Sequence, residues 1–314
     1  MRALVTGATG FVGRYLTAAL EAGGASVFAC GGPNDGPDAF ALDLDDPAAI
    51  AAALDIARPD LVFHLAAQTF VPESFASPVA TYRTNVVGTA HLASAVRAYA
   101  DGRAMPRILF TSSAEVYGAR SAAEMPLRES TLPAPATPYA ASKAGAEAVL
   151  LAESRSLGLD VVVARAFNHI GPGQNERFVV PSFARQLSTI AGGASSPVLM
   201  VGNLNAVRDF LDVRDVVAAY VALARDGASG EIYNVCSGAG RTVRDVLREL
   251  IAIAGVPVEV REDPERMRPL DVPVFVGSAQ KLEAATGWHP AIPLSQSLRD
   301  IYRSAAPGKP GESS

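Results

Sequence analysis

The sequence predicts an α/β fold, a Rossmann-type doubly wound parallel sheet with a smaller C-terminal α/β substrate lobe. Short, nearly continuous apolar runs alternate with segments of helical periodicity, as in a parallel sheet covered on both faces. A glycine-rich turn follows the first of these runs. After about residue 167 the alternation loosens and Gly and Pro interrupt it, which indicates a second, smaller unit.

The individual elements follow from these patterns. The predicted strands of the first half are "ALVT", "SVFA", "DLVFHLAA", "RILFTSS" and "LDVVVARAF". The predicted helices between them are "GRYLTAALEAG", "DPAAIAAALDIA" and "NVVGTAHLASAVRAYA". Later, "NHIGPGQNERFVVP" is loop-like, "DVRDVVAAYVALARDG" predicts a helix closed by Gly227, and "GEIYNV" predicts a strand. "TVRDVLRELIAIAG" predicts an amphipathic helix with Thr242 as its N-cap and Gly255 after its end.

These elements predict a division of the chain into two units. Residues 1–167 form the dinucleotide-binding domain, to which 207–237 return, and 168–206 with 238–303 form the substrate lobe. Residues 304–314 are rich in Pro, Gly and Ser and are predicted to be disordered.

Composition excludes several classes of function. A chain of 314 residues can bury one large domain or a domain with a lobe, and its net charge of −5 gives no indication of nucleic acid or an anionic membrane as partner. No apolar run reaches membrane-spanning length, and no leader precedes the first strand, so a cytoplasmic protein is expected. Cys30 and Cys236 lie far apart and are expected to be packed thiols, and the four histidines show no metal-ligand spacing, so no metal is expected.

The turn after the first strand predicts a nucleotide site. In "TGATGFVG", Gly7, Gly10 and Gly13 permit a tight turn and close approach of a pyrophosphate to the N-terminus of the helix that follows, and Phe11 and Val12 are counted with them as cofactor-binding residues. Free N–H groups and the helix dipole favour an anion there. The spacing is GxxGxxG rather than the common GxGxxG, and a purely structural turn is the competing interpretation.

The cofactor preference stays open at this point. An acid after the second strand favours NAD(H), and a nearby Arg accommodates the 2′-phosphate of NADP(H). Here that strand ends in Gly31 and Gly32, and Asp35 comes a few residues later. Asp43, at the end of a further strand between "SVFA" and "DLVFHLAA", is predicted to bind the adenine amino group, with a solvated turn aspartate as the alternative.

A tyrosine and a lysine four residues apart predict the chemistry. In "TPYAASKAG", Tyr139 and Lys143 share one face of a helix, so the ammonium can lie near the phenol. A nearby cation lowers the pKa of a phenol, ordinarily about 10, towards neutrality and suits it to proton transfer at a carbonyl oxygen. The sequence has three lysines among its 27 basic residues, which makes one inside a helix notable. Ser113, at the end of the fourth long strand, can share the substrate oxygen with Tyr139.

Together, "TGATGFVG", "HLAAQ", "TSSAEVYG" and "YAASK" resemble the extended short-chain dehydrogenases/reductases that act on nucleotide sugars. "ARAFNHIGPGQ", "VGNLNAVRDFLDVRDVV", "YNVCSG" and "RMRPLDVPVFVGSAQKLEAATGWHP" are similar to the GDP-mannose 4,6-dehydratase branch. The resemblance implies a GDP-sugar substrate and NAD(P)H-dependent reduction of the C4 ketone of GDP-4-keto-6-deoxy-D-mannose to GDP-D-rhamnose. It also implies a homodimer, formed through helices of which one begins near Tyr139.

The resemblance also implies site residues. The implied cofactor-binding residues, beside the glycine turn, are Asp43, Leu44, Leu65, Ala66, Ala67, Tyr139 and Lys143. The implied substrate-binding residues are Ser113, Glu115, Asn168, Arg185, Arg208 and Arg268, in which the arginines suit phosphates.

Glu115 leaves a dehydratase as the main alternative. A 4,6-dehydratase needs a base at C5 and an acid at the departing C6 hydroxyl, and Glu115 is placed to be the base. In dehydratases of this kind the position before the glutamate usually carries a proton-donating side chain, and here it is Ala114. We therefore expect Glu115 to lie in the sugar pocket without driving an elimination. The predicted catalytic residues are Ser113, Glu115, Tyr139 and Lys143. A 4-epimerase and a non-catalytic dinucleotide sensor are the remaining alternatives.

Overall fold

Short apolar strands and the helices that follow them build a parallel sheet in the computed structural model, which describes residues 1–33, 35–36, 39–266 and 272–305. The strands are β1 (Arg2–Thr6), β2 (Ser26–Gly31), β3 (Phe40–Ala41), β4 (Leu61–His64), β5 (Arg107–Ser113), β6 (Val161–Ala166), β7 (Asn168–Ile170), β8 (Val198–Val201), β9 (Val207–Asp212), β10 (Glu231–Val235), β11 (Gly240–Thr242), β12 (Glu259–Glu262) and β13 (Val274–Phe275). The α-helices are α1 (Phe11–Ala22), α2 (Pro47–Ala57), α3 (Val71–Ala76), α4 (Pro78–Tyr82), α5 (Gly88–Tyr99), α6 (Pro138–Leu157), α7 (Val179–Ala191), α8 (Val213–Asp226), α9 (Val243–Ala254), α10 (Gln280–Thr286) and α11 (Leu294–Ala305).

The main sheet has the order β10-β6-β5-β4-β1-β2-β3, and every neighbouring pair is parallel. The predicted doubly wound fold is therefore confirmed. Strand order reverses between β1 and β4, the position where ligands bind at the carboxyl edge of such sheets.

Two apolar layers cover this sheet, as its continuously apolar strands require. One face is packed by α1 and α8, which supply Leu16 and Leu223 to the core. The other face is packed by α2, α5 and α6, which supply Leu54, Leu92 and Leu150. Strands buried on both sides hold their carboxyl ends in fixed positions, which the site requires.

The smaller lobe has its own core. Strands β7, β11 and β13 pair with β9, and β8 pairs with β12. Helices α7, α9 and α11 pack together around Phe183, Leu247 and Leu298. Thr242 caps α9 by accepting from the backbone N–H of Asp245 at 3.0 Å, and Gly255 follows the last residue of the helix in the left-handed conformation, both as predicted.

Three details differ from the sequence-based prediction or go beyond it. Residues 207–237 were predicted to return to the dinucleotide-binding domain. Strand β10 does join the main sheet and α8 packs on it, but β9 pairs with strands of the small lobe. The loop-like "NHIGPGQNERFVVP" contains β7, because its first residues pair with β9. Ser304 and Ala305, predicted to begin a disordered tail, complete α11, and 306–314 lie outside the described residues. No helix within the described ranges is long and apolar enough to cross a membrane.

Candidate active site

A cavity of about 1430 Å³ opens along the carboxyl edge of the main sheet and faces the small lobe. Residues at the strand ends line it, including Thr6, Gly31, Leu65, Ser113 and Ala166. Because parallel strands present their carboxyl ends together, the turn after β1 and the polar residues after β5 share one space.

The glycine turn forms one wall of this cavity and has no room for side chains. Gly7 has a φ of 70°, and an added Cβ there would lie 2.8 Å from the backbone N of Ala66. A Cβ at Gly13 would lie 2.1 Å from the carbonyl oxygen of Gly7. Gly10 directly precedes α1, so the cavity meets bare backbone at a helix N-terminus. This cradle fits a pyrophosphate.

Every residue predicted to bind the cofactor lines the same cavity. The set consists of Gly7, Gly10, Phe11, Val12, Gly13, Asp43, Leu44, Leu65, Ala66, Ala67, Tyr139 and Lys143. The turn, the segment after β3, the loop after β4 and the start of α6 thus surround one elongated space. Their role as cofactor ligands stays a prediction.

The start of α6 places Tyr139 over this space. Thr137 caps the helix by accepting from the backbone N–H of Ala140 at 3.0 Å, and Pro138 occupies the first helical turn. Ser113 ends β5, and its hydroxyl accepts from the backbone N–H of Glu115 at 3.2 Å. Ser113 also hydrogen-bonds Tyr139, so strand end and helix start are joined at the predicted reaction centre.

The expected lowering of the Tyr139 pKa by Lys143 is not found. Burial raises this pKa most, the Glu115 charge raises it further, and only the hydrogen bond with Ser113 lowers it. The phenol is consequently neutral at pH 7. Tyr220 of α8, a second buried phenol that lines the cavity, interacts with Tyr139 and was not singled out from the sequence.

Lys143 lies in the same pocket but is directed at the backbone. Its Nζ donates to the carbonyl oxygen of Thr111 at 2.8 Å and lies 4.9 Å from the ring centroid of Phe110. Burial lowers the pKa of Lys143 to about 8, against the opposing charge of Glu147. Burial therefore holds the ammonium close to its point of deprotonation.

A buried asparagine supports this arrangement from behind. Asn85 lies in a π-helical turn, Arg83–Val87, which separates α4 from α5. Its Nδ2 donates to the Gln68 carbonyl oxygen and to the Ser142 hydroxyl, both at 2.9 Å, and its Oδ1 accepts from the Gln68 N–H at 2.8 Å. It thereby ties the loop after β4 to α6. The sequence showed only an Asn inside a helical pattern.

Four of the six predicted substrate residues line the cavity, one lies outside it, and one lies outside the described residues. Ser113, Glu115, Asn168 and Arg208 line the cavity. Arg208 Nη1 donates to the carbonyl oxygens of Val207 at 2.9 Å and Val272 at 2.7 Å.

The other two predicted arginines are not placed there. Arg185 is not among the cavity residues; its guanidinium lies 3.5 Å from Glu176, which does line the cavity, and donates to the carbonyl oxygen of Ala305 at 3.4 Å. Arg268 lies outside the described residues.

An aromatic and basic cluster was missed in the sequence. The guanidinium of Arg177 lies 5.2 Å from the ring centroid of Phe70, and Phe70 meets Phe178 edge-on with centroids 6.4 Å apart. All three line the cavity, and they bring the loop after β4 against the loop before α7. "NERF" carried no periodic signal, and only the fold brings it to Phe70. The part of the chain that the structure describes holds no cluster of His, Cys, Asp or Glu suited to a metal ion.

Comparison with known proteins identifies the family. The model of the GDP-mannose 4,6 dehydratase family matches residues 4–301. The chain is 41% identical to GDP-6-deoxy-D-mannose reductase of Pseudomonas aeruginosa, over 96% of this chain and 95% of the relative. It is 31% identical to GDP-6-deoxy-D-talose 4-dehydrogenase of Aggregatibacter actinomycetemcomitans, over 90% of each. The solved structure of RMD from Pseudomonas aeruginosa complexed with NADPH superposes with a TM-score of 0.88 at 39% identity, covering 97% of this chain and 99% of the other. The resemblance predicted from the motifs is confirmed, and the chain belongs to the GDP-mannose 4,6-dehydratase family.

Proposed function

We propose that this protein reduces the C4 ketone of GDP-4-keto-6-deoxy-D-mannose to GDP-D-rhamnose with NADH or NADPH. The likeness to a GDP-6-deoxy-D-mannose reductase along nearly the whole of both chains supports this substrate. The observation that carries the proposal is the neutral Tyr139 phenol, hydrogen-bonded to Ser113 in the cavity that also contains the glycine turn.

The protonation state of Tyr139 fits reduction. A nicotinamide dinucleotide, when bound, supplies the hydride. Reduction of a ketone then requires one proton at the carbonyl oxygen, and a buried neutral phenol is a donor for it. Ser113 can donate to the same oxygen, and Lys143 offers a positive charge within the pocket as the phenol loses its proton.

Basic groups at the other end of the cavity fit a diphosphate. Arg208 and Arg177 both line the cavity on the side of the small lobe. One planar guanidinium can bind two phosphate oxygens at once. The guanidinium of Arg177 lies over the Phe70 ring, and this position leaves the N–H groups along the guanidinium edge available. Asn168 at the start of β7 adds an amide to this end, and Arg268 remains a predicted contributor.

A 4,6-dehydratase is the second candidate, and Ala114 argues against it. Elimination of the C6 hydroxyl requires an acid beside the base, and Ala114, which lines the cavity next to Glu115, has only a methyl group. Glu115 raises the pKa of Tyr139 by its charge, an influence that keeps the phenol protonated. We therefore assign Glu115 to orienting sugar hydroxyls. The 41% identity to a reductase along nearly the whole of both chains favours reduction over a 4-epimerase or a cofactor sensor.

We further propose a cytoplasmic homodimer. The exposed apolar side chains Val79, 74% exposed, and Val87, 44% exposed, lie on the segment that packs beside α6 and support pairing through this region. Sedimentation equilibrium of the wild type and of Val79→Glu tests the dimer, which we expect in the first and weakened in the second.

One assay separates the candidate reactions. The enzyme is given GDP-mannose or its 4-keto-6-deoxy derivative, and both NAD(P)H absorbance and the sugar product are followed. A reductase consumes cofactor stoichiometrically with the keto sugar and leaves GDP-mannose unchanged. Conversion of GDP-mannose with no net absorbance change would overturn the proposal in favour of the dehydratase. Tyr139→Phe is expected to lower kcat by about 100-fold or more, because the variant has no phenolic proton to donate.

A further inference from the structure

The adenosine end of the cavity carries a carboxylate in an unusual place. In dinucleotide-binding folds the group that contacts the adenosine ribose follows the second strand. Here β2 ends in Gly31, and the chain then turns back, so that the Asp35 N–H donates to the Gly32 carbonyl oxygen at 3.1 Å. The turn returns Asp35 to the strand end, and both glycines and Asp35 line the cavity.

Two hydrogen bonds fix this carboxylate against the glycine turn. Asp35 Oδ2 accepts from the Gly32 backbone N–H at 2.7 Å and from the Thr9 hydroxyl. An added Cβ on Gly31 would lie 2.9 Å from Thr9 Cγ2 and 3.1 Å from Asp35 Cβ, so the arrangement depends on glycine. These hydrogen bonds lower the pKa of Asp35, which is ionised at neutral pH. Among the described residues none donates to Oδ1, which leaves an acceptor for a ribose hydroxyl.

The positive charge that a 2′-phosphate needs is missing from this region. The sequence between Arg14 and Arg58 contains no Lys, Arg or His. Arg14 donates to the carbonyl oxygens of Thr9 at 3.2 Å and Gly173 at 3.4 Å, and so turns towards the small lobe.

Arg83 is the other arginine to consider. Its Nε lies 3.9 Å from Oδ2 of Asp45, a cavity-lining residue other than Asp35. Arg83 itself does not line the cavity. Neither arginine forms an ion pair with Asp35 in the described part of the chain.

From this geometry we propose that Asp35 makes the enzyme selective for NAD(H) over NADP(H). The carboxylate accepts a hydrogen bond from the adenosine ribose and repels a 2′-phosphate, so discrimination comes from an attractive and a repulsive contribution together. This inference rests on the proposed dinucleotide site. It distinguishes the chain from the Pseudomonas aeruginosa relative, whose solved structure is complexed with NADPH.

Equilibrium binding tests the proposal without requiring turnover. NADH and NADPH are titrated separately into the wild type, Asp35→Asn and Asp55→Asn, with cofactor fluorescence and thermal stabilisation as the two readouts. Asn keeps the size and the acceptor towards Gly32 but removes the charge. Asp55→Asn is a matched control because it removes the same charge at a position outside the cavity. Asp55 lies on α2, 3.8 Å from Arg103.

We expect the wild type to bind NADH at least about tenfold more tightly than NADPH. Asp35→Asn should reduce that ratio about tenfold, mainly by strengthening NADPH binding, and Asp55→Asn should leave it unchanged. Preference of the wild type for NADPH, or an unchanged ratio in Asp35→Asn, would overturn the role of Asp35 but would leave the proposed reductase function standing. If neither nucleotide bound to the folded wild type, the proposed function would fail with it.

Discussion

Glu147 of α6 and Arg165 of β6 form a buried, bidentate ion pair next to the predicted reaction centre. Arg165 Nε donates to Glu147 Oε1 at 2.9 Å and Nη2 donates to Oε2 at 2.6 Å, and both side chains are almost fully buried. The Ser112 hydroxyl donates to the same carboxylate, and the Arg165 guanidinium lies 4.7 Å from the ring centroid of Tyr117. The pair therefore joins α6, which carries Lys143, to the strand end that carries Ser113.

Removing one charge of this pair is expected to destabilise the fold. Glu147→Gln leaves the Arg165 guanidinium buried without a counter-charge, which typically costs about 3 kcal/mol of unfolding free energy. The double variant Glu147→Leu, Arg165→Met should recover most of that loss, because neither charge remains to be solvated. Urea unfolding measures both.

The matched control is an exposed pair with the same geometry. Arg261 contacts Glu259 at 2.7 and 2.8 Å on the surface of the small lobe, so Glu259→Gln should leave the unfolding midpoint unchanged. A Glu147→Gln protein as stable as the wild type would show that the buried pair does not contribute.

The pH dependence of turnover should report Lys143. Its pKa is lowered by burial to about 8, so the side chain is charged below that pH and neutral above it. Loss of the charge removes a buried cation from the pocket in which the Tyr139 phenol gives up its proton, and kcat should fall as pH rises through about 8. Initial rates from acid to alkaline pH with saturating substrates measure this limb.

Lys143→Arg identifies the group responsible. Arginine keeps its charge throughout this range, so the variant should be slower but should lose the alkaline limb. An identical pH dependence in wild type and variant would assign the titration to another group.

Much of the fold follows from local sequence, but contacts between distant loops do not. Six of the seven strands of the main sheet, the caps of α9 and the positions of Ser113, Tyr139 and Lys143 were predictable because periodicity and capping act over a few residues, whereas β7 lies in a segment predicted to be a loop. The raised Tyr139 pKa was not, since it depends on burial and on Glu115 facing the phenol after folding.

The arginines show the same limit. Resemblance pointed to Arg185, whereas the cavity contains Arg177, which meets Phe70 only after two loops distant in sequence are brought together. The placement of Asp35 likewise depends on a turn that folds back on Gly32, which spacing from the glycine motif does not reveal.

Substrate affinity should separate Arg177 from Arg185. Arg177→Ala removes a cavity-lining cation and is expected to raise the KM for the GDP-sugar about tenfold or more, with cofactor affinity unchanged. Arg185→Ala is the control, because Arg185 itself does not line the cavity, and the KM of this variant should stay close to wild type. Steady-state kinetics with each substrate varied in turn provide the values, and equal effects of the two changes would contradict the assignment.

Both thiols should be inert in the folded protein. Cys30 and Cys236 are free and buried, and burial raises the pKa of Cys30 to about 12 and that of Cys236 as well. Because the thiolate is the reactive form, Ellman's reagent should modify neither under native conditions at neutral pH. Both should react after unfolding in guanidinium chloride. Rapid modification of the native enzyme would mean that at least one thiol is accessible.

Asn85 offers a test of how the pocket is held in shape. Its side chain donates to the Gln68 carbonyl oxygen and the Ser142 hydroxyl, and a carboxylate at this position would face the same carbonyl with no N–H to offer. Asn85→Asp should therefore lower the melting temperature and displace the loop after β4, which includes the predicted cofactor residues Leu65 to Ala67. We expect cofactor Kd to rise about tenfold, measured by fluorescence titration, since a buried hydrogen bond lost to repulsion costs on the order of 1–3 kcal/mol.

The control is Asn205→Asp, an exposed change beside Arg244, which should alter neither the melting temperature nor the cofactor Kd. A normal Kd in a destabilised Asn85→Asp protein would show that Asn85 supports only the fold and not the cofactor loop.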